Sequence, residues 1–516
     1  MPQLPTILIT GATDGIGLAL AQHYAQQGAR LILIGRRALA TLPQTFFTDE
    51  NYCQVDLAQS GYTDTVFQWL HENKIAQLDL LIHNAGLGWV GNVADQPADS
   101  IRQLVAVNLQ APIALTHALL PLVAAVRGKL VFISSVVSVL PGARYAVYTA
   151  SKAALDGFVR NLQIELSAGQ SGVTAQVIHP GATRTAMHAK SGATRAEMDW
   201  EKFPTAQAVA QQIAQAIQRP ERAVTIGATN SLVRFTGRAL PSALEWAMRP
   251  KPLVNKPNAP IPHCLITGAA DGIGRALAFA FAGAGYRITG VDVDAERATA
   301  TTAALQAQGA TVEFLIANLG DAADVAQVAA QVAAGPALSV VIHNAGINAV
   351  GSFAHLPLAK QSQVIDINLT APLLLTAALL RANRLAPGSS LAFIASLSHY
   401  VGYPGAAVYA ASKDGLVGYA RSLAVALGPQ GIQLLTIFPG PTRTAHARRY
   451  SPDNRREQSR MPPEELARQI LQAVQRRQRL LIPGVGNQLF AWAGWLLPSI
   501  TEQVMRRMLL DKLVRK

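Results

Sequence analysis

The feature that most restricts what this chain can fold into is a glycine-rich turn that occurs twice, each time between a strand-like apolar run and an alanine-rich helical pattern. The first turn reads Thr10, Gly11, Ala12, Thr13, Asp14, Gly15, Ile16, Gly17. The second reads Thr267, Gly268, Ala269, Ala270, Asp271, Gly272, Ile273, Gly274. Helices are predicted over residues 18–27 and 275–284. A strand, a glycine turn and a helix in that order aim backbone N–H groups and the positive helix end at a pyrophosphate, and the missing side chains let the phosphates approach. A tight turn with no ligand does not account for one spacing kept in register in both halves.

Each half also carries a serine, a tyrosine and a lysine: Ser135, Tyr148 and Lys152, then Ser396, Tyr409 and Lys413. The serine precedes the tyrosine by thirteen residues and the lysine follows it by four. Four residues is about one helical turn, so tyrosine and lysine share a helix face. An ammonium there favours the ionised phenol, lowering its pKa and making it a usable proton donor and acceptor. Interconverting an alcohol and a carbonyl requires such a group. A lone Tyr-x-x-x-Lys is common on amphipathic helices, and the upstream glycine turns are what give it weight.

The landmarks recur at nearly constant offset: 257 residues from Thr10 to Thr267, 261 from Tyr148 to Tyr409 and 259 from Pro180 to Pro439. A chain of 516 residues is too long for one growing core. The period is that of a duplicated domain, longer than any solenoid repeat. Residues 1–248 are expected to form the first domain and 263–516 the second, each with an amphipathic C-terminal segment. Residues 249–262, with prolines at 250, 252, 257, 260 and 262, read as a semi-rigid linker. Apolar runs at 30–34, 78–83, 129–134 and 174–179, and at 287–291, 339–343, 391–395 and 433–438, alternate with longer helical patterns. Uninterrupted apolar strands between helices predict α/β architecture: two doubly wound parallel-sheet (Rossmann) domains with ligands at the carboxyl ends of the strands.

Taken together, both halves resemble classical short-chain dehydrogenases/reductases over nearly the whole chain. The motifs are T-G-x-x-x-G-x-G, N-A-G (Asn84, Ala85, Gly86; Asn344, Ala345, Gly346), the asparagine of V-N-L or I-N-L (Asn108, Asn368), the Ser/Tyr/Lys set, and P-G-x-x-x-T (Pro180, Gly181, Thr183, Thr185; Pro439, Gly440, Thr442, Thr444). The resemblance implies that Tyr148 and Tyr409 exchange the proton with the substrate oxygen and that Ser135 and Ser396 hydrogen-bond that oxygen. It assigns Lys152 and Lys413 to the nicotinamide ribose, Asn108 and Asn368 to a water linking lysine to solvent, and Thr185 and Thr444 to the nicotinamide carboxamide. His83 and His343 stand where the family commonly has asparagine. With the following Asn-Ala-Gly intact, both read as structural.

The copies differ most at the end of the second strand. An acidic residue about twenty positions after the glycine turn binds the adenosine ribose hydroxyls and repels a 2′-phosphate, whereas arginine accepts it. The first copy has Gly35 followed by Arg36 and Arg37; the second has Asp292. The first domain is therefore expected to prefer NADP and the second NAD. By family position, Asp56 and Asn318 would complete the adenine pockets.

Residues 232–249 and 489–507 are matched segments sharing Leu-Pro-Ser at 240–242 and 497–499, and both mix large apolar residues with arginines. Their apolar runs reach about half the roughly twenty residues needed to span a bilayer. Three readings stand: attachment at a membrane interface, packing on the parent domain or on each other, or a lid over an apolar cleft. The formal net charge of +13, with arginines at 443, 448, 449, 455, 456, 460, 476, 477 and 479, suits an anionic lipid surface or a phosphate-bearing, acyl-thioester or lipid substrate. Nucleic acid is not expected, because no aromatic platform interleaves with the charges. Cys53 and Cys264 suggest neither a disulfide framework nor a metal cluster, and residues 1–6 show no secretory signal. The expected location is cytoplasmic, with attachment to the inner membrane face open.

The sequence thus predicts a bifunctional oxidoreductase that interconverts alcohol and carbonyl groups on an apolar substrate, with opposed oxidation and reduction as one scheme. Two consecutive reductions or two independent substrates are the enzymatic alternatives. A dinucleotide-sensing interaction protein, or one active and one structural domain, are the others. Because family members commonly pair through the helices bearing the asparagine and the Tyr-x-x-x-Lys, those near Ile101 and Tyr148 are expected to pair with those near Gln361 and Tyr409 as an intramolecular pseudo-dimer.

Overall fold

The computed structural model describes residues 4–194, 198–239, 261–451, 453–455 and 457–514. Residues 249–260 of the expected linker and 240–249 of the first C-terminal segment lie outside the described residues. The chain divides into two compact units, each built on one seven-stranded parallel sheet.

In the first, the strands are β1 (Thr6–Thr10), β2 (Arg30–Gly35), β3 (Tyr52–Gln54), β4 (Leu80–His83), β5 (Lys129–Ile133), β6 (Thr174–His179) and β7 (Ala223–Thr225). In the second they are β8 (His263–Thr267), β9 (Arg287–Asp292), β10 (Val312–Ile316), β11 (Leu338–His343), β12 (Leu385–Ile394), β13 (Gln433–Ile437) and β14 (Leu480–Leu481). The orders are β3-β2-β1-β4-β5-β6-β7 and β10-β9-β8-β11-β12-β13-β14. All five residues of β1 and of β8 are buried, since helices cover both faces and leave no polar side for alternation. The order reverses beside β1 and β8, opening a crevice at the carboxyl ends of the neighbouring strands.

The sequence reading missed β3, β7, β10 and β14. Two are three residues long and one is two, and β10 is largely part-exposed, so none offers a sustained apolar run. β12 starts six residues before the apolar run at 391, passing through Pro387 and Gly388, and its pairing with β11 shifts register between Leu338 and Val340. Both glycine-turn helices also begin three residues earlier than periodicity suggests, at Gly15 and Gly272 (Gly15–Gln26 and Gly272–Gly283). The carboxylates of Asp14 and Asp271 cap them by accepting the next N–H at 2.7 Å, so the glycines themselves form the first turn.

Candidate active sites

Each glycine turn is held by the strand that follows the reversal. Thr10 Oγ1 accepts the N–H groups of Asn84 and Ala85 at 3.0 Å, while Asn84 Nδ2 donates to the carbonyls of Thr10 and Gly11 at 3.0 and 3.2 Å. Thr267, Asn344, Ala345 and Gly268 repeat the arrangement at 3.0 to 3.1 Å. A side chain at Gly17 or Gly274 would strike the carbonyl of Gly11 or Gly268 and the amide of Asn84 or Asn344. Gly11 and Gly268 take φ of +68° and +67°, a conformation that favours glycine. The turn is thus shaped as a cradle in which Gly11, Thr13, Asp14, Gly15, Ile16 and Gly17, or their second-domain equivalents, line the helix N-terminus. The threonine of the P-G-x-x-x-T segment closes it: a Cβ at Gly15 would lie 3.1 Å from Thr185 Cγ2, and one at Gly272 3.3 Å from Thr444 Cγ2.

Ser135 and Ser396 follow β5 and β12, and Tyr148 with Lys152, and Tyr409 with Lys413, lie on the helices Ala146–Ala168 and Ala407–Leu427. Lys152 Nζ donates to Ile133 O and Lys413 Nζ to Ile394 O, both at 2.9 Å. The two ammonium groups sit 5.9 and 5.7 Å from the ring centroids of Tyr148 and Tyr409. Gly86 and Gly346 face them: a Cβ would stand 3.7 Å from Lys152 Nζ and 3.3 Å from Lys413 Nζ. The backbone is therefore close-packed against each lysine.

Asn108 and Asn368 lie within π-helical turns, Ala106–Gln110 and Asp366–Thr370, and are fully buried. Asn108 Oδ1 accepts Leu87 N at 2.7 Å, and its Nδ2 donates to Leu87 O and Ser151 Oγ. Asn368 makes the same bonds to Ile347 and Ser412. Ser151 and Ser412 donate in turn to the carbonyls of Tyr148 and Tyr409 at 2.8 and 2.7 Å. The asparagine amides thus tie the loop after N-A-G to the catalytic helix.

Burial depresses both lysines to about 8. Burial likewise pushes Tyr409 up to about 12, aided by the neighbouring Tyr403 and opposed by a hydrogen bond from Ser396. The expected lowering of the phenol is thus not what burial gives at Tyr409, where desolvation is the largest influence.

At the adenosine end, Asp292 Oδ2 accepts Ala270 N at 2.9 Å and Oδ1 accepts Asp294 N at 3.1 Å, placing the carboxylate over the second glycine turn. Its counterpart Gly35 has no room for a side chain: a Cβ would meet Thr13 Cγ2 at 2.7 Å and the Tyr52 hydroxyl at 2.9 Å. Arg36 and Arg37 are exposed beyond it, with Arg37 donating to Thr41 O. Asp56 Oδ1 accepts Ala58 N, and Asn318 Oδ1 accepts Gly320 N, both at 3.0 Å after the third strand of each sheet.

Asn230 and Asn487 escaped the sequence reading, and they press on the P-G-x-x-x-T segments that it named. Pro180 O and Pro439 O accept Val136 N and Leu397 N, joining the P-G segment to the serine loop. Thr183 and Thr442 hydroxyls brace Gly181 and Gly440 through carbonyl bonds at 3.1 and 3.2 Å. Against those glycines press Asn230 and Asn487, from the C-terminal helices Ala228–Ala239 and Val485–Leu496. Gly227, Asn230 and Gly237 recur as Gly484, Asn487 and Gly494 at a constant 257 residues, a signal that self-comparison would have found. Gly237 packs on Val139 and Leu140, and Gly494 on Tyr400 and Val401, so each helix is docked beside its own serine loop. Arg234 points inward and is buried. His83 and His343 are structural as read: each bonds a buried threonine at 2.9 Å, stacks on a phenylalanine and is driven by burial to about 3.

A parallel sheet reversing beside a glycine turn, with a Ser/Tyr/Lys set at its carboxyl edge, defines a dinucleotide-type α/β fold present in both units. The short chain dehydrogenase family profile matches residues 5–196 and 262–455, and the chain belongs to that family of oxidoreductases. It is 37% identical over 200 residues to the uncharacterized oxidoreductase YciK of Escherichia coli (36% of this chain, 76% of the relative). It is 29% identical over 219 residues to the D-beta-hydroxybutyrate dehydrogenase of Cupriavidus necator (39% of this chain, 79% of the relative). Among solved structures, a short-chain dehydrogenase from Sphingobium yanoikuyae in complex with NADPH aligns with 27% identity and a TM-score of 0.41, covering 47% of this chain and 96% of that one.

Proposed function

We propose that the chain is a bifunctional short-chain alcohol dehydrogenase/ketoreductase with two hydride-transfer centres acting on a largely apolar hydroxy or keto substrate. The observation that carries this reading is that both units bring a complete Ser/Tyr/Lys set, an N-A-G segment and a closing threonine to one glycine turn. A sensor needs only the turn, and a structural second domain needs neither tyrosine nor lysine.

The cradle fits a nicotinamide dinucleotide, with the capped helix N-terminus for the pyrophosphate and the lysine for the ribose. When bound, the dinucleotide supplies or accepts the hydride. Ser135 and Ser396 orient the substrate oxygen, and Tyr148 and Tyr409 pass a proton between their phenol oxygen and that oxygen. NADP in the first domain and NAD in the second is supported by Arg36 and Arg37 beyond a side-chain-free Gly35 against a carboxylate at Asp292. That split supports oxidation at one centre and reduction at the other. Tyr148→Phe and Tyr409→Phe should each abolish one activity, assayed over alcohols and ketones of increasing chain length with each dinucleotide, and leave dinucleotide binding intact. Loss of both activities from either single change in a folded chain would overturn the two-centre reading.

Peripheral association with an anionic membrane is part of the proposal. Its support is that Leu232 and Phe235 on the first C-terminal helix, and Leu489 and Trp492 at the matched places on the second, are all more than 60% exposed. The helical spans Ala98–Ala124 and Leu358–Arg381 are long and apolar enough to cross a membrane, but 67% and 72% of their apolar windows are buried within the protein, as core helices are. Intramolecular pairing of the two domains is likewise proposed, from family habit.

A further inference from the structure

One turn beyond Lys152, the catalytic helix of the first domain carries Asp156, the centre of a buried polar cluster. His179 Nε2 lies 3.0 Å from both carboxylate oxygens. Ser138 Oγ donates to Oδ2 at 2.7 Å, and Arg234, from the C-terminal helix, donates to Oδ2 at 2.9 Å and to Ser138 Oγ at 2.7 Å. The side chains of His179, Arg234 and Asp156 are 1%, 10% and 19% exposed.

Counting from the flanking motifs, the second domain has His399, Val417, Phe438 and Ala491 at these four positions. There Val417 and Phe438 pack with Ala395, Tyr400 and Ile482 as an apolar cluster, and the nearby acid Asp414 is bound to His399 Nδ1 at 2.8 Å. The four positions have changed together. Burying ions costs desolvation that their attraction repays incompletely, and an apolar set of similar volume is often as stable or more so. The second domain shows that this fold closes with the apolar set, so stability alone does not call for the ions.

What the cluster places one helical turn from Lys152 is the Asp156 carboxylate, with the Arg234 cation paired to it. Burial drives that lysine towards its neutral form, and Asp156 acts on it in the opposite sense; on Lys413 burial acts without such a carboxylate. His179 and Arg234 hold Asp156 far below the usual carboxylate range, so it stays ionised. The remaining charged or titratable neighbours are Tyr148 and Arg160 on the same helix and Arg238 on the C-terminal helix, while in the second domain His446 faces Lys413. Burial lowers the pKa of His179, against the pull of Asp156.

We propose that Asp156 is a positioning residue of the first domain, the counter-charge of Lys152, and that Arg234 makes the C-terminal helix part of that site. The inference rests on the dinucleotide reading given above. A cationic lysine holds a ribose and neighbouring phosphates better than a neutral amine, because it carries the charge and all three N–H donors. Dinucleotide affinity of the first site should therefore fall at alkaline pH when Lys152 loses its proton, and Asp156 should delay that loss.

The test is titration of the full chain with NADPH, followed by its fluorescence and by calorimetry, from about pH 6 to about pH 10. In Asp156→Asn the alkaline loss of affinity should move to lower pH, since the carboxylate is lost and Arg234 is left unpaired. The second site is the same in both chains, so a difference belongs to the first. A threefold variant, Asp156→Val with His179→Phe and Arg234→Ala, installs the second domain's apolar residues at three of the four positions. It should retain the fold and shift downward by less than Asp156→Asn, because a cation leaves with the carboxylate, and this decides the matter if Asp156→Asn fails to fold. Folded variants that titrate as the unmodified chain does, or shift upward, overturn the proposal. If the unmodified chain binds neither NADPH nor NADP at any pH, the dinucleotide reading fails and the inference falls with it.

Discussion

Lys152 and Lys413 show what a buried lysine costs the fold that holds it. A lysine whose folded pKa is about 8, against about 10.4 unfolded, binds its proton less readily in the folded chain, so folding works against the charge at every pH below about 8. Stability from these groups should rise as pH climbs from about 8 to about 10.4, and above about 10 the phenol of Tyr409, held near 12, pulls the other way. Lys413→Met should accordingly stabilise the chain at pH 7 by about 1 to 3 kcal/mol in urea unfolding, offset in part by the lost bond to Ile394 O. A clear loss of stability would mean the ammonium is better solvated than its burial implies. The cofactor split is the second prediction at this scale. Asp292→Ala removes a carboxylate expected to repel a 2′-phosphate by about one to a few kcal/mol, and should relax the second site towards NADP. Arg36→Ala should weaken NADP at the first site by about 1.5 to 3 kcal/mol with little effect on NAD. Dissociation constants from two-site isotherms of the full chain check both, and unchanged NADP-to-NAD ratios would assign the preference to other residues.

The C-terminal helices combine a specific inner face with an apolar outer one. On the inner face Asn230 and Asn487 fill the space over Gly181 and Gly440, and Gly237 and Gly494 permit close approach to the serine loop. The outer row, Leu232 and Phe235 or Val485, Leu489, Trp492 and Leu496, follows helical spacing and remains in water. An apolar row recurring at matched positions in two domains is what a shared surface partner requires. Leu489→Glu combined with Trp492→Glu should cut co-sedimentation with vesicles containing anionic lipid by roughly tenfold or more, since burying two such side chains is worth about 1.5 to 3 kcal/mol each. Unmodified protein that stays in the supernatant with such vesicles would remove the membrane proposal. Much of this was legible in advance: the matched Leu-Pro-Ser segments marked the tails, but periodicity does not reveal which arginines turn inward. Arg234 is buried because Asp156, 78 residues earlier in the chain, waits for it.

At the scale of the whole chain, duplication supplied the reading its strength. Intramolecular pairing, if it replaces the dimer common in the family, predicts a scattering mass near the 54.7 kDa of a single chain at micromolar concentration. Twice that mass would assign pairing to contacts between chains instead.

The longer apolar strands, the glycine turns and the two Ser/Tyr/Lys sets followed from the sequence by itself, because each is encoded within a short window: an apolar run, a glycine spacing, one helical turn. The same windows told the domains apart at Gly35 and Asp292. Only the tertiary structure decided what depends on residues far apart in the chain. It brought short edge strands into register, gave Asn108 and Asn368 to loop anchoring through π-helical turns, and raised Tyr409 where an ammonium alone would have lowered it. It also assembled Asp156, His179, Arg234 and Ser138 into one buried cluster in one domain and placed Val417 and Phe438 in an apolar cluster at two of the matched positions in the other. Burial and long-range pairing set those outcomes, and neither is written in local spacing.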